Sequence, residues 1–370
     1  MRKTTVRDVL TSRELLVILI TVILATDSFT SPRGIARLAG RDGWLSMMLA
    51  GLWSLLVAVT VIKLAGAFPR RSPNAWIPQL FGRWGGKLFI VFYILFLLMS
   101  CAWTLRLFCD VMNIYLLPRT PPEVIIFALL VCVLYLTSYG INPMARVTGI
   151  FFLVAVVPGL LLLATFKGKV DFGELLPVLA GGVVPVVQGM IPALAAYHGW
   201  SVALYLAQFM DLPKEASRAA ALAVVVLMLF FTWVYVLTIA KFGPLETQYL
   251  LYPVVELVRE MEGIKGFIEK LDLLFLISFI IGAFVSVTFT YYVAVLAASQ
   301  LWGLQDRRPL LLCLLPLIYF LALLPTCYKA AERMGEWIYY GGVVLDVGLL
   351  ALALRAWWKM RRGGLGTHEE

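Results

Sequence analysis

The chain has 370 residues, 61% of them apolar by the broad count and 14% charged, with a formal net charge of +9. So few charged side chains cannot cover a water-soluble domain of that size, so most of the chain has lipid as its solvent and the positive charge is to be read by side of a bilayer, not as a nucleic-acid footprint. Two histidines, His198 and His368, build neither a His-based metal cluster nor a Ser-His-Asp arrangement, which excludes hydrolytic enzymes; no metal and no cofactor are expected.

A spanning helix needs roughly 20 predominantly apolar residues. The sequence predicts an all-α integral membrane protein whose ten spans cover 14–38, 44–64, 88–116, 122–139, 143–166, 183–209, 217–241, 271–301, 308–325 and 335–358. The first span is read as uncleaved, because its apolar run passes signal-peptide length and leads into Ser31-Pro32-Arg33, with no small-x-small site. Its pattern breaks at Ala25-Thr26-Asp27-Ser28-Phe29-Thr30-Ser31-Pro32. Between the second and third spans, Gly82-Arg83-Trp84-Gly85-Gly86-Lys87 has a superficial likeness to a phosphate loop but lacks its spacing and its Ser or Thr, and reads as a basic loop. The sixth span carries Gly181-Gly182, Pro185, Gly189 and Pro192, then Tyr197-His198-Gly199, and reads as interrupted like the first. From Gly243 to Lys270 the connector sets Val254, Val255, Leu257 and Val258 among charged residues at helical spacing, which predicts an interfacial helix; the alternative is a lid or docking surface.

A polar run and a Pro/Gly cluster at the same place in two five-helix halves point to a 5+5 inverted-repeat transporter-like bundle with broken helices 1 and 6; the structural alternative is a pair of kinks. The domain organisation is then a single transmembrane domain, 1–370, with half-repeats of about 14–166 and 183–358, an N-terminus 1–13 and a tail 359–370. Most Lys and Arg residues fall on the side of Arg2, Lys3, Arg7, Lys87, Arg146, Arg307, Arg308, Lys359 and Arg361, so both termini are expected to be cytoplasmic. Four of the five cysteines, Cys101, Cys109, Cys132 and Cys313, fall in apolar runs and Cys327 near a helix end, without CxxC spacing, and read as small packing residues.

Ionisable residues within the bilayer cost roughly 2.5–3.5 kcal/mol each at a helix centre and are retained where they are paired or used. Here they are Asp27, Arg106, Asp110 and Asp346. Asp27, with Thr26, Ser28, Thr30 and Ser31, offers a carboxylate and hydroxyls at the first break, the chemistry of a small-ligand or cation site; the alternative is an acid satisfied by exposed N–H groups or by Arg106. Tyr197, His198 and Gly199 would face that site as an aromatic wall, a titratable donor and an open backbone, although a lone intramembrane His also serves in packing. Arg106 and Asp110 stand at i,i+4, which is also the spacing of an intrahelical pair. Asp346, near Gly341 and Gly342, reads as a helix-packing or ion-pairing contact. Ser286, Thr288 and Thr290 are ambiguous, since such hydroxyls commonly bond their own helix backbone.

Four stretches carry a resemblance: Ala39-Gly40-Arg41-Asp42-Gly43-Trp44, Leu117-Pro118-Arg119-Thr120-Pro121, Ile191-Pro192-Ala193-Leu194 and Gly303-Leu304-Gln305-Asp306-Arg307-Arg308-Pro309. Together with Phe242-Gly243-Pro244 and Tyr252-Pro253, in order along nearly the whole chain, they resemble the GerAB-type spore germination proteins. The resemblance implies the B subunit of a nutrient germinant receptor in the spore inner membrane, within the amino acid, polyamine and organocation transporter superfamily. It also implies a small-molecule nutrient, often an amino acid, and as partners an A subunit with membrane spans and a C-subunit lipoprotein. One departure bears on the ligand: where members close to the transporter pattern carry Gly-x-Gly, this chain reads Ala25-Thr26-Asp27. An ionised Asp27 repels a carboxylate and attracts an ammonium or a metal cation, so the ligand is expected to be held by its amino end or to be something other than an amino acid, with Arg106 available for a carboxylate. The family pattern also has an acid at the position of Asp110, which favours an architectural role for that pair. The expected function is a non-enzymatic receptor; the alternatives are a secondary transporter of amino acids or polyamines coupled to an ion, and an ion-conducting receptor subunit.

Overall fold

The structure, a computed structural model, describes residues 9–24, 30–68, 71–164, 170–210, 213–260 and 271–361. Its helices in chain order are α1 (Ser12–Leu24), α2 (Ser31–Ala39), α3 (Gly43–Gly66), α4 (Pro73–Phe81), α5 (Arg83–Tyr115), α6 (Pro122–Ser138), α7 (Ile141–Ala164) and α8 (Val183–Ala195). They continue with α9 (Ala203–Leu206), α10 (Pro213–Thr247), α11 (Pro253–Arg259), α12 (Leu271–Leu301), α13 (Arg308–Leu323) and α14 (Tyr328–Arg361). Among the described residues there is no strand, only an isolated pairing of Leu10 with Met210.

The long helices are apolar on both faces. On α3, Met47, Ala50, Val57 and Val61 are buried while Leu49, Leu52 and Leu56 are exposed; on α10, Ala220, Ala223 and Leu227 are buried while Leu222, Val226 and Leu229 are exposed. Outward leucines at helical spacing are what a bundle surrounded by lipid requires and a water-facing bundle avoids. Five helical stretches are long and apolar enough to cross a membrane, Ser31–Gly66, Arg83–Tyr115, Glu215–Thr247, Leu273–Leu301 and Lys329–Lys359, and four shorter apolar helices accompany them. The chain is thus a multi-pass membrane protein; of the ten expected spans the first and sixth are each divided, and those at Pro122–Ser138, Ile141–Val154 and Arg308–Leu323 are among the shorter apolar helices.

In the first span, α1 and α2 are separate helices, and the residues expected at its break, Ala25, Thr26, Asp27 and Ser28, lie outside the described residues. α2 starts with Pro32 in its first turn, where a missing N–H costs nothing. In the sixth, α8 ends at Ala195, a turn follows at Ala196 and Tyr197, and the chain continues as a 3-10 turn, His198–Val202, before the single turn of α9. Pro192 sits one turn before the end of α8, where its ring removes a backbone donor from the last turn.

Three further expectations change. The short helix α4, buried along Trp76, Ile77 and Leu80, was not anticipated, since at nine residues it is too short to register as a span. The apolar face of α11 meets protein: Val254, Val255, Leu257 and Val258 are buried and the helix packs on α2, α10 and α12, a surface that the sequence pattern cannot distinguish from lipid. Among the cysteines, Cys101 and Cys109 are buried as expected, whereas Cys132, Cys313 and Cys327 are exposed and do not pack in the core.

One end of the bundle, which carries the chain's start, gathers Leu10, α4, the end of α9 and the C-terminal turns of α12 and α14. The other end carries α2, α11, the connector around Asp171 and the start of α14. They are referred to below as the N-terminal end and the α2 end.

Candidate functional site

The two divided segments approach each other. A Cβ on Gly199 would lie 3.0 Å from the Cα and 3.1 Å from the backbone N of Ile23, so only glycine lets the 3-10 turn press against the last turn of α1. On the α2 side, a Cβ on Gly34 would stand 3.2 Å from Pro192 Cβ, which brings α2 and α8 together. The half-helices therefore cross as pairs, α1 with the 3-10 turn and α9, and α2 with α8.

Two cavities flank this crossing. The first, about 470 Å³, lies at the α2 end and is lined by Thr30, Arg33, Arg37, Trp103, Gln188, Glu332, Glu336 and Tyr340, among others. Its size falls in the range of about 300–1,000 Å³ typical of small-molecule sites. Basic residues come from α2 and acidic ones from the start of α14: Arg37 Nη1 stands 2.6 Å from Glu332 Oε1 and Arg33 Nη1 3.9 Å from the same oxygen. Arg33 Nε also donates to the Gln248 carbonyl at 3.1 Å. These groups are partly solvated, so the ion pair contributes at most about 1 kcal/mol to stability, and its charges are available to a solute.

The second cavity is deeper and small, about 30 Å³, lined by Phe96, Ser100, Trp103, Thr104, Ala195, His198, Gly199, Ser201, Ser286 and Thr290. A water needs about 10–15 Å³ of such space, so the cavity has room for water and is far smaller than a small-molecule site. Trp103 lines both cavities. Its indole lies against α14 at Gly335, where a Cβ would come within 2.9 Å of the ring.

The residues singled out from the sequence fall into three groups. His198, Gly199, Ser286 and Thr290 line the deeper cavity, and Thr30 lines the outer one. Arg106 and Asp110 pair with each other, Nε to Oδ1 at 3.0 Å, and neither is among the residues lining the two cavities. Tyr197 turns away: its hydroxyl donates to the Met47 carbonyl at 3.2 Å and its ring packs edge-on against Phe231. Thr288 bonds its own helix at Phe284. Asp346 is buried and accepts a hydrogen bond from Trp53 Nε1 at 3.1 Å. Sequence reasoning missed Trp103, Arg33, Arg37, Glu332 and Glu336. The i,i+4 spacings Arg33/Arg37 and Glu332/Glu336 were the available signal, since they put two like charges on one face of each helix.

A family profile described as Spore germination protein matches residues 9–330. This chain belongs to the spore germination protein family. Spore germination protein YndE of Bacillus subtilis (strain 168) is 26% identical over 356 residues, covering 95% of this chain and 97% of that protein. Spore germination protein GerLB of Bacillus cereus is 25% identical over 362 residues, covering 96% of each chain. Spore germination protein A2 of Bacillus subtilis (strain 168) is 24% identical over 336 residues, covering 90% of each. In this spore germination protein, the motif between α2 and α3 clamps a connector of the α2 end: Asp42 Oδ1 accepts from Leu179 N at 2.8 Å and Arg41 donates to the Leu176 carbonyl. Gly243, with φ 71°, kinks α10 where Phe242-Gly243-Pro244 stands.

Proposed function

We propose that this chain is the B-type subunit of a nutrient germinant receptor, a non-enzymatic sensor that admits a small polar nutrient from the α2 end and binds it at the crossing of its two broken segments. The observation that carries the reading is the pair of cavities that share Trp103 in their walls, the larger one charged and the smaller one lined by hydroxyls. Arg33 and Arg37 facing Glu332 and Glu336 across the entrance suit a solute charged at both ends, an amino acid or a related amine. A nutrient that moves Trp103 aside would join the cavities and meet His198, Ser286, Thr290 and the break that contains Asp27. Binding signals only if one arrangement of the bundle holds the nutrient better, with about 5.5 kcal/mol of difference for a switch from 1:99 to 99:1.

Ten spans related by a 5+5 inverted repeat are part of this reading. It is supported by corresponding contacts in the two halves: α1 packs on α7 as α8 packs on α14, α1 on α10 as α8 on α3, and α3 meets α10 as α5 meets α12. Placement of the N-terminal end in the cytoplasm, with the α2 end across the spore inner membrane, is supported by exposed Trp84, Trp302, Trp357 and Trp358 beside Arg83, Lys87, Arg355 and Lys359, an aromatic and basic girdle. The A subunit and the C-subunit lipoprotein are the partners expected to receive the change.

Thermal unfolding of the purified protein against a panel of amino acids, sugars and polyamines tests this, since a ligand of the native state alone must raise apparent stability. A stabilising compound whose effect is lost in Asp27→Asn and altered in Trp103→Ala supports the site. Stabilisation that survives both substitutions moves the nutrient elsewhere, and gradient-driven uptake of that compound by the chain alone in proteoliposomes would make it a transporter.

A further inference from the structure

Near the middle of α14 an acid is buried without full satisfaction. Asp346 is 1% exposed, its Oδ2 accepts from Trp53 Nε1 at 3.1 Å, and its Oδ1 has no hydrogen-bond partner. One turn toward the α2 end, the imidazole of His198 occupies the place where a side chain at Gly342 would stand, with its Nε2 edge facing α14. No side chain hydrogen-bonds the ring nitrogens of His198, and the polar group its ring meets is the Gly342 backbone. Positions 342 and 346 are i and i+4, so the imidazole and the carboxyl occupy the same face of α14.

Neither charge state of Asp346 is well served here. Ionised, it is a charge at membrane depth with one donor and no ion pair among the described residues. Protonated, its hydroxyl at Oδ1 finds no acceptor, and an unmet buried donor is costly as well. A metal ion is a poor occupant: one carboxylate oxygen and one imidazole are too few ligands, and no cluster of three His, Cys, Asp or Glu residues occurs among the described residues. A proton needs only one oxygen.

We propose that Asp346, between Trp53 and His198, is a proton-binding site of this protein, loaded or emptied as the bundle rearranges. Among the described residues, His198 is the titratable side chain that faces the same stripe of α14 as Asp346. Of the elements packed on α14, α4 and α8 carry no titratable side chain, and α3 carries Lys63 only in its last turn. α5 has Arg83 and Lys87 in its first turns, keeps Arg106 on Asp110 and Tyr93 on the Ser201 carbonyl, and turns Phe89, Phe96 and Trp103 toward Gly348, Gly341 and Gly335. The site is wired to the entrance by geometry. Glu332, Gly335, Tyr339, Gly342 and Asp346 repeat at three- and four-residue steps, one stripe of α14 that meets in turn Arg37, Trp103, the outer cavity, His198 and Trp53. A shift of α14 that changes the entrance also changes what the carboxyl touches.

Infrared difference spectra between acidic and alkaline buffer, on the purified protein in lipid nanodiscs, test this without any nutrient, and so independently of the receptor reading. The wild type is expected to show the carbonyl band of a protonated carboxylic acid that appears with acid and is absent in Asp346→Asn. Trp53→Phe and His198→Gln leave the carboxyl in place, keep the test open should the Asn variant not fold, and are each expected to move the band. Spectra that superimpose for wild type and Asp346→Asn, or a band that neither Trp53→Phe nor His198→Gln displaces, overturn the proposal and leave Asp346 as a packing contact.

Discussion

At the α2 end, charged side chains face one another across an open cavity, with Arg37 and Arg33 on one wall and Glu332 and Glu336 on the other. At the N-terminal end, the same bundle is sealed by uncharged groups. Asn74 donates to the Ala297 carbonyl at 2.8 Å and accepts from Tyr205, Gln300 donates to Gln208 at 3.1 Å, and Leu10 N donates to the Phe209 carbonyl at 2.8 Å. Tyr205 is also stacked on Tyr93, ring centres 5.2 Å apart. Buried amide and hydroxyl bonds hold a closure firmly, because each partner left behind goes unsatisfied. Solvated ion pairs hold one weakly and exchange readily with a charged solute. The difference teaches which end is held more loosely: the α2 end rests on partly solvated charges, the N-terminal end on buried amide and hydroxyl bonds.

Breaking the seal should have the largest effect. Asn74→Ala strands the Tyr205 hydroxyl, at about 1–3 kcal/mol for a group left unpaired, and also removes the tie to the Ala297 carbonyl of α12. A large fall in the thermal unfolding midpoint is expected, together with faster labelling of a cysteine placed at Gln300 by a water-soluble maleimide; unchanged labelling would mean that another contact closes this end. Next in size is the crossing of the two divided segments. Gly199→Ala sets a methyl 3.0 Å from Ile23 Cα, an overpacking of about 1–3 kcal/mol, and should lower the midpoint by less than Asn74→Ala. The smallest effect belongs to the entrance. Arg37→Ala should change stability by less than about 1 kcal/mol, yet remove much of the salt dependence of the unfolding midpoint, because it removes a partly exposed charge pair. A strong destabilisation by Arg37→Ala would erase the contrast between the two ends.

The hydropathy of the chain determined the membrane setting and the helical class, because apolar runs of spanning length have no other solvent. Pro and Gly spacing also located the sixth-span interruption: Pro192 and Tyr197-His198-Gly199 stand where α8 ends and the 3-10 turn begins. Sequence could set Arg106 and Asp110 at pairing distance along one helix, since i,i+4 geometry is local. It could not tell that Tyr197 turns toward Met47 while His198 turns toward Gly342, for that choice depends on which helices flank the turn. Nor could it unite α2 with the start of α14, which lie nearly 300 residues apart, or find Trp103 in the walls of two cavities, because an aromatic residue in an apolar run looks the same whether it faces lipid, core or a cavity. Local periodicity decides where a helix runs and which residues share its face; only the packing of distant helices decides what that face meets.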